Sequence, residues 1–226
     1  MGMISENVRR ILAQLPPGVT LVAAAKTRSA AEIEEAVEAG VGVIGENYLQ
    51  DAQAVHPVVK LPARWHFIGH LQRRKVRKAI EIFDMIETLD SPELADEIEK
   101  RCAQASKTME VLIEVNSGRE DQKAGVLPED VPALVREAAL RPHLRVRGLM
   151  TMGPRTGDPE AARPYFRRTR SIFEELRGEE LPDARMEVLS MGMSNSYRIA
   201  IEEGANLVRI GTAIFGPRAC SRTVTP

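Results

Sequence analysis

The residues of this 226-residue chain that could do chemistry begin with Lys26, which closes the apolar run Leu21-Val22-Ala23-Ala24-Ala25 and is followed by Thr27. A short apolar run bounded by polar residues reads as a buried strand of a parallel sheet, with the lysine at its C-terminal end. Strand side chains alternate, so Lys26 shares a face with Ala24 and Val22. If that face points into an interior, desolvation favours the neutral amine, the form that condenses with an aldehyde. The small alanines leave room for a ligand. A lysine that snorkels into solvent is the competing reading, and from this stretch alone the commoner one.

Two further stretches carry anion chemistry. Met191-Gly192-Met193-Ser194-Asn195-Ser196 sets a glycine and small hydroxyls at an expected helix start, where backbone N–H groups are free to meet an anion. In Arg209-Ile210-Gly211-Thr212, Gly211 permits close backbone approach and Thr212 offers a hydroxyl. Arg209 alternates with Leu207 and Gly211, so it points inward, where a guanidinium needs a ring nitrogen or a carboxylate to answer it. Lysine, anion cup and interior arginine together describe a site for pyridoxal phosphate: a Schiff base at the aldehyde, hydroxyls at the phosphate, arginine at the pyridine nitrogen.

The elements that must position these residues follow a repeating pattern. A helix over residues 4–15 ends at Pro16-Pro17 and precedes the strand that carries Lys26. Further strands are expected at 41–45, 64–69, 85–89, 109–115, 146–151, 187–191 and 207–210. Helices are expected between them at 30–39, from about 49 to 55, and at 72–80, 91–106, 128–140, 159–176 and 195–203. Strands alternating with helices argue for a parallel α/β sheet, and a count of eight favours a closed (β/α)8 TIM barrel with an extra N-terminal helix. A single domain over 1–226 fits the roughly 200 to 400 residues such barrels take. A doubly wound open sheet is the alternative. In a barrel, the loops after strands seven and eight often hold phosphate, and both anion stretches fall there.

Several motifs then resemble one family. Ala25-Lys26-Thr27, Gly45-Glu46-Asn47-Tyr48, Trp65-His66-Phe67-Ile68-Gly69-His70-Leu71-Gln72, Arg147-Gly148-Leu149-Met150, Met191-Gly192-Met193-Ser194 and the run Val208 to Gly216 are similar to the YggS/PROSC pyridoxal phosphate homeostasis proteins, in the same order over nearly the whole chain. The resemblance implies a barrel like the N-terminal domain of alanine racemase. It makes Lys26 the lysine of the Schiff base, puts Ser194, Gly211 and Thr212 at the phosphate and Arg209 at the pyridine nitrogen, and sets Asn47 and His66 near the ring. It implies a carrier that buffers pyridoxal phosphate or delivers it to apo forms of dependent enzymes; a monomer is expected, and the lack of a bilayer-spanning run or signal layout makes it a cytoplasmic one. The chain departs from the family at Asn195-Ser196, where an acidic residue is common, and at Arg74, where asparagine is.

Other features set bounds. A formal net charge of -1 gives no general pull toward nucleic acid or anionic membranes. No apolar run reaches the roughly 18 residues that span a bilayer, and the N-terminus lacks a signal-peptide layout. Met1-Gly2 fails as a myristoylation signal, because Glu6 stands where Ser or Thr is needed. Cys102 and Cys220 are too isolated for a disulfide framework or a metal site. His66 and His70, roughly 13 Å apart along a strand, are too far apart for one ion. Arg73-Arg74-Lys75 with Arg77 and Lys78 reads as a solvated helix face, and Lys123 as an exposed amine beside Glu120, Asp121 and Gln122.

The competing function is a fold type III amino-acid racemase. It needs a second base opposite the lysine and enclosure from water. Tyr48, Tyr165 and Tyr197 are the tyrosine candidates for that base. With only residues 216–226 after the eighth strand, no second domain is expected to supply either requirement, which favours the non-catalytic carrier.

Overall fold

Apolar stretches too short for helices become strands here because each is buried on both faces, by helices outside and by its opposite neighbours inside. In the computed structural model, which describes residues 2–120, 122–153 and 158–217, these are β1 (Thr20–Ala24), β2 (Val43–Glu46), β3 (Arg64–Phe67), β4 (Met85–Leu89), β5 (Met109–Val115), β6 (Leu144–Thr151), β7 (Ala184–Ser190) and β8 (Leu207–Ile210). Every pair is parallel, and β8 returns to β1 through Val22 against Arg209, so the sheet closes as the count of eight implied. Met1, Asp121, Cys220 and the rest of the tail beyond residue 217 lie outside the described residues.

The helices are α1 (Met3–Leu12), α2 (Ala30–Glu38), α3 (Leu49–Val55), α4 (Val76–Ile82), α5 (Pro92–Gln104), α6 (Val131–Ala139), α7 (Arg163–Arg177), α8 (Tyr197–Glu202) and α9 (Thr212–Phe215). Local chemistry sets their starts. Ser91 caps α5 by accepting from Leu94 N–H, with Pro92 at the first turn, and Ser29 and Glu32 form a reciprocal capping box on α2. Two expected helices begin as 3-10 turns, at Arg73–Lys75 and Pro159–Ala162, before α4 and α7. The four-residue α9 has too little periodicity to read from sequence.

The main core fills the layer between barrel and helices, with Ile44, Phe67, Ile98, Val135 and Phe166 fully or nearly fully buried. Inside the barrel, Val22, Val43 and Leu207 cluster on one side and Met85, Leu112 and Met150 on the other, with Val188 touching both groups. This apolar plug closes the middle of the barrel. On β4, β5, β7 and β8 the inward positions one step further along, Glu87, Glu114, Ser190 and Arg209, are polar, and there the site begins.

Candidate functional site

The strand ends surround a cavity of about 440 Å³ at the C-terminal mouth of the barrel, within the range of small-molecule sites. Lys26, Asn47, Ser194, Arg209, Gly211 and Thr212 line it, together with Met152, Met193 and Phe215. His66 does not. It lies in the interior, 2% exposed, with its ring turned to Glu87.

Lys26 stands two residues past β1, in a turn rather than on the strand itself. The turn is tight: Arg28 N–H reaches Ala25 C=O at 2.9 Å, and Thr27 takes φ 65. A β-branched residue in the left-handed region is strained, and the bond from Thr27 N–H to Asp51 Oδ2 at 3.2 Å helps hold it there. The half-buried Lys26 amine lies 5.4 Å from the centre of the Tyr48 ring.

The two anion stretches meet across the seam of the barrel. Ser194 Oγ accepts from Ala213 N–H at 3.3 Å, tying the loop after β7 to the start of α9. Gly192 turns that loop with φ 89, and a side chain there would run into Ala200 and Tyr197. Gly211 approaches the other strand: a Cβ on it would sit 3.2 Å from Ala24 C=O. Small residues therefore let β8 and β1 draw together at the point where Lys26 leaves the sheet.

Below the cavity the inward side chains of β3, β4, β5, β7 and β8 are His66, Glu87, Glu114, Ser190 and Arg209, all buried. Glu87 accepts from His66 Nδ1 at 2.7 Å and from Ser190 Oγ at 2.7 Å. Arg209 Nη1 lies 3.6 Å from Glu87 Oε2 and donates to Ser190 Oγ, while Nη2 donates to Thr151 C=O at 2.9 Å. The carboxylate that an interior arginine demands is thus Glu87. Burial alone would push Glu87 up, but the His66 hydrogen bond and charge, with Arg209 and Ser190, bring it below the usual carboxylate value. Burial pulls Arg209 down against the opposing fields of Glu87 and Glu114. Glu114 is raised to about 7 by burial and by the Asp90 charge, with Arg209 opposing.

Glu46 stands apart. It shares the outward face of β2 with Ile44, is fully enclosed, and has no hydrogen-bond partner on either oxygen. Burial, then the charge of Asp51, raises it to about 8, with the nearby Asn47 backbone N–H and then Lys26 pulling the other way. Sequence reading passed over Glu87 and Glu114, although both sit at inward parity inside apolar runs, the same signal that marked Arg209.

The remaining candidates lie outside the cavity. Lys123 is ion-paired with Glu120. His70 meets Asp90 at 3.5 Å, and no cluster of potential metal ligands occurs among the described residues. Arg73, Arg74, Arg77 and Lys78 are exposed. Tyr197 donates its hydroxyl to Gln14 Oε1 at 3.0 Å. A second cavity, about 490 Å³, opens at the opposite end of the barrel, where Phe173, Arg177, Arg185 and Asn206 meet. No helix of the described residues is long and apolar enough to cross a membrane.

Comparison with known proteins adds to this geometry. Residues 1–219 match the family model described as alanine racemase, N-terminal domain. A pyridoxal phosphate homeostasis protein of Pasteurella multocida is 36% identical over 228 residues, covering 98% of this chain and 97% of its own. One of the same name from Aquifex aeolicus is 43% identical over 199 residues, covering 88% and 86%. PipY of Synechococcus elongatus, solved with pyridoxal phosphate bound, superposes with a TM-score of 0.86 at 33% identity over 94% of this chain and 100% of that one. The alanine racemase of Streptomyces lavendulae shares the fold, with a TM-score of 0.78 at 22% identity over 96% of this chain and 58% of the racemase.

Proposed function

The chain belongs to the pyridoxal phosphate homeostasis family of alanine racemase N-terminal-domain barrels, and on that premise we propose that it binds pyridoxal 5'-phosphate reversibly and buffers or delivers it. The observation that carries the reading is one cavity holding an amine, a pair of hydroxyl-bearing loops and a buried guanidinium, the three kinds of group this cofactor needs. The donor set fits. Ser194 and Thr212 offer hydroxyls to a phosphate beside a backbone seam kept narrow by Gly211. Arg209 stays charged and donor-only, so toward a ring nitrogen it gives a hydrogen bond and leaves that nitrogen unprotonated. Lys26 supplies the amine, and the bound group supplies an aldehyde that an amine captures reversibly. Asn47 lines the ring side, while His66 acts beneath it through Glu87.

Carriage rather than turnover is the reading that the names of the relatives favour, and the recipients in this proposal are apo forms of dependent enzymes. The racemase alternative rests on likeness of fold alone. The test is to add pyridoxal phosphate, reduce with borohydride and map the adduct. It should fall on Lys26. An adduct mainly on Lys123, whose amine is spent on Glu120, would sink the assignment.

A further inference from the structure

Arg209 is almost wholly buried, 4% exposed, and among the described residues the one carboxylate within ion-pair reach of it is Glu87, itself fully enclosed. Their contact is organised by a third group: Ser190 Oγ accepts a hydrogen bond from Arg209 Nη1 and donates one to Glu87 Oε2. On the far side, Glu87 Oε1 holds His66 at 2.7 Å. An ionised carboxylate only accepts, so His66 carries its proton on Nδ1. Groups from β3, β7 and β8 thus converge on one negative charge on β4 under the cavity, a charge that does not line the cavity itself and reaches it through Arg209. Thr151 C=O fixes the other arm of the guanidinium at 2.9 Å.

We propose that Glu87 is a positioning residue that aims Arg209 at the cavity and offsets its charge, so that the site can let an anionic ligand go. The inference rests on the pyridoxal phosphate reading and deepens it. A carrier must release what it binds. A buried guanidinium without a counter-charge is costly, and any ligand that accepts a hydrogen bond from it relieves that cost. With Glu87 in place the guanidinium is already answered, and the ligand gains less by staying. The lowered pKa of Glu87 agrees, since it keeps the carboxylate charged at neutral pH.

The experiment compares wild type, Glu87→Gln, Arg209→Gln and the double variant by thermal melting without ligand and by the rate at which bound pyridoxal phosphate is released. Glu87→Gln should lower the melting temperature of the ligand-free protein, yet slow release roughly tenfold, a coupling of the size seen between contacting charges. In the Arg209→Gln background the same change should raise the melting temperature and leave release unaltered, because there it removes a buried charge that has lost its guanidinium and keeps only the His66 and Ser190 contacts. A merely structural glutamate would loosen the ligand in both backgrounds. Effects of the same sign in both would overturn the proposal. If Glu87→Gln does not fold, Arg209→Gln against the double variant decides: no gain in melting temperature on adding Glu87→Gln overturns it. Should wild type fail to bind pyridoxal phosphate, the functional reading falls, while the sign reversal in ligand-free protein still decides whether Glu87 serves Arg209.

Discussion

Ser194 and Thr212 make the sharpest claim at the scale of single residues, because they separate recognition of a phosphate from recognition of a ring. Both line the cavity, from loops after different strands. Hydrogen bonds to charged groups are worth about 1.5 to 3 kcal/mol each, so removing both hydroxyls should cost pyridoxal phosphate at least about a hundredfold in affinity. Pyridoxal, which has no phosphate, should lose little. Titration of Ser194→Ala/Thr212→Ala with the two ligands checks this, and equal losses would mean that the loops do not hold the phosphate. Lys26, Arg209 and these hydroxyls were legible in the sequence because each sits at a strand end or at inward parity. The pairing of Arg209 with Glu87 was not. It joins side chains across the barrel, and no local pattern states which inward residues face one another.

At the scale of elements, the strands were legible because eight apolar runs recur between helical stretches, while their ends were less so. β1 stops at Ala24, two residues before Lys26, because the chain turns at Thr27 to start α2, and a turn held by Asp51 from α3 is a tertiary event. β2 ends on a different problem. Glu46 closes it with a fully buried carboxyl whose oxygens have no hydrogen-bond partner, and its pKa is raised from the ordinary 4.5 to about 8. A raised value means that the folded state prefers the proton. The stability contributed by protonated Glu46 is therefore complete below about 4.5 and is lost as pH climbs through about 8. Glu114, raised to about 7, acts in the same direction. Glu46→Gln keeps the shape without the charge, so the melting temperature of the wild type should fall relative to that of the variant between about pH 5 and 8, by up to roughly 1.4 kcal/mol of stability per pH unit. Parallel melting curves across that range would show that Glu46 is ionised in the fold.

For the molecule as a whole, the question is whether a barrel that holds this cofactor also turns over amino acids. Proton exchange at an α-carbon needs a base on one face and an acid on the other, both held in place. Lys26 can serve one face. Of the tyrosines, Tyr197 is committed to Gln14, Tyr165 lies against Gly118 outside the cavity lining, and Tyr48, 50% exposed, lies beside the Lys26 amine rather than across the cavity from it. The carboxylates beneath the cavity are engaged with Arg209 and His66 or kept from the ligand-lining surface. A positioned acid is worth about 10² to 10⁴ in rate, so without one only slow background exchange is expected. Incubating the loaded protein with each common L-amino acid should show negligible change of chirality, while the same preparation restores activity to an apo-enzyme that needs pyridoxal phosphate. Racemisation of any amino acid near the enzyme median of about 10 per second would promote the racemase and demote the carrier. Transfer without racemisation is what a site with an answered arginine, and among the described residues no acid placed across the cavity from Lys26, should give.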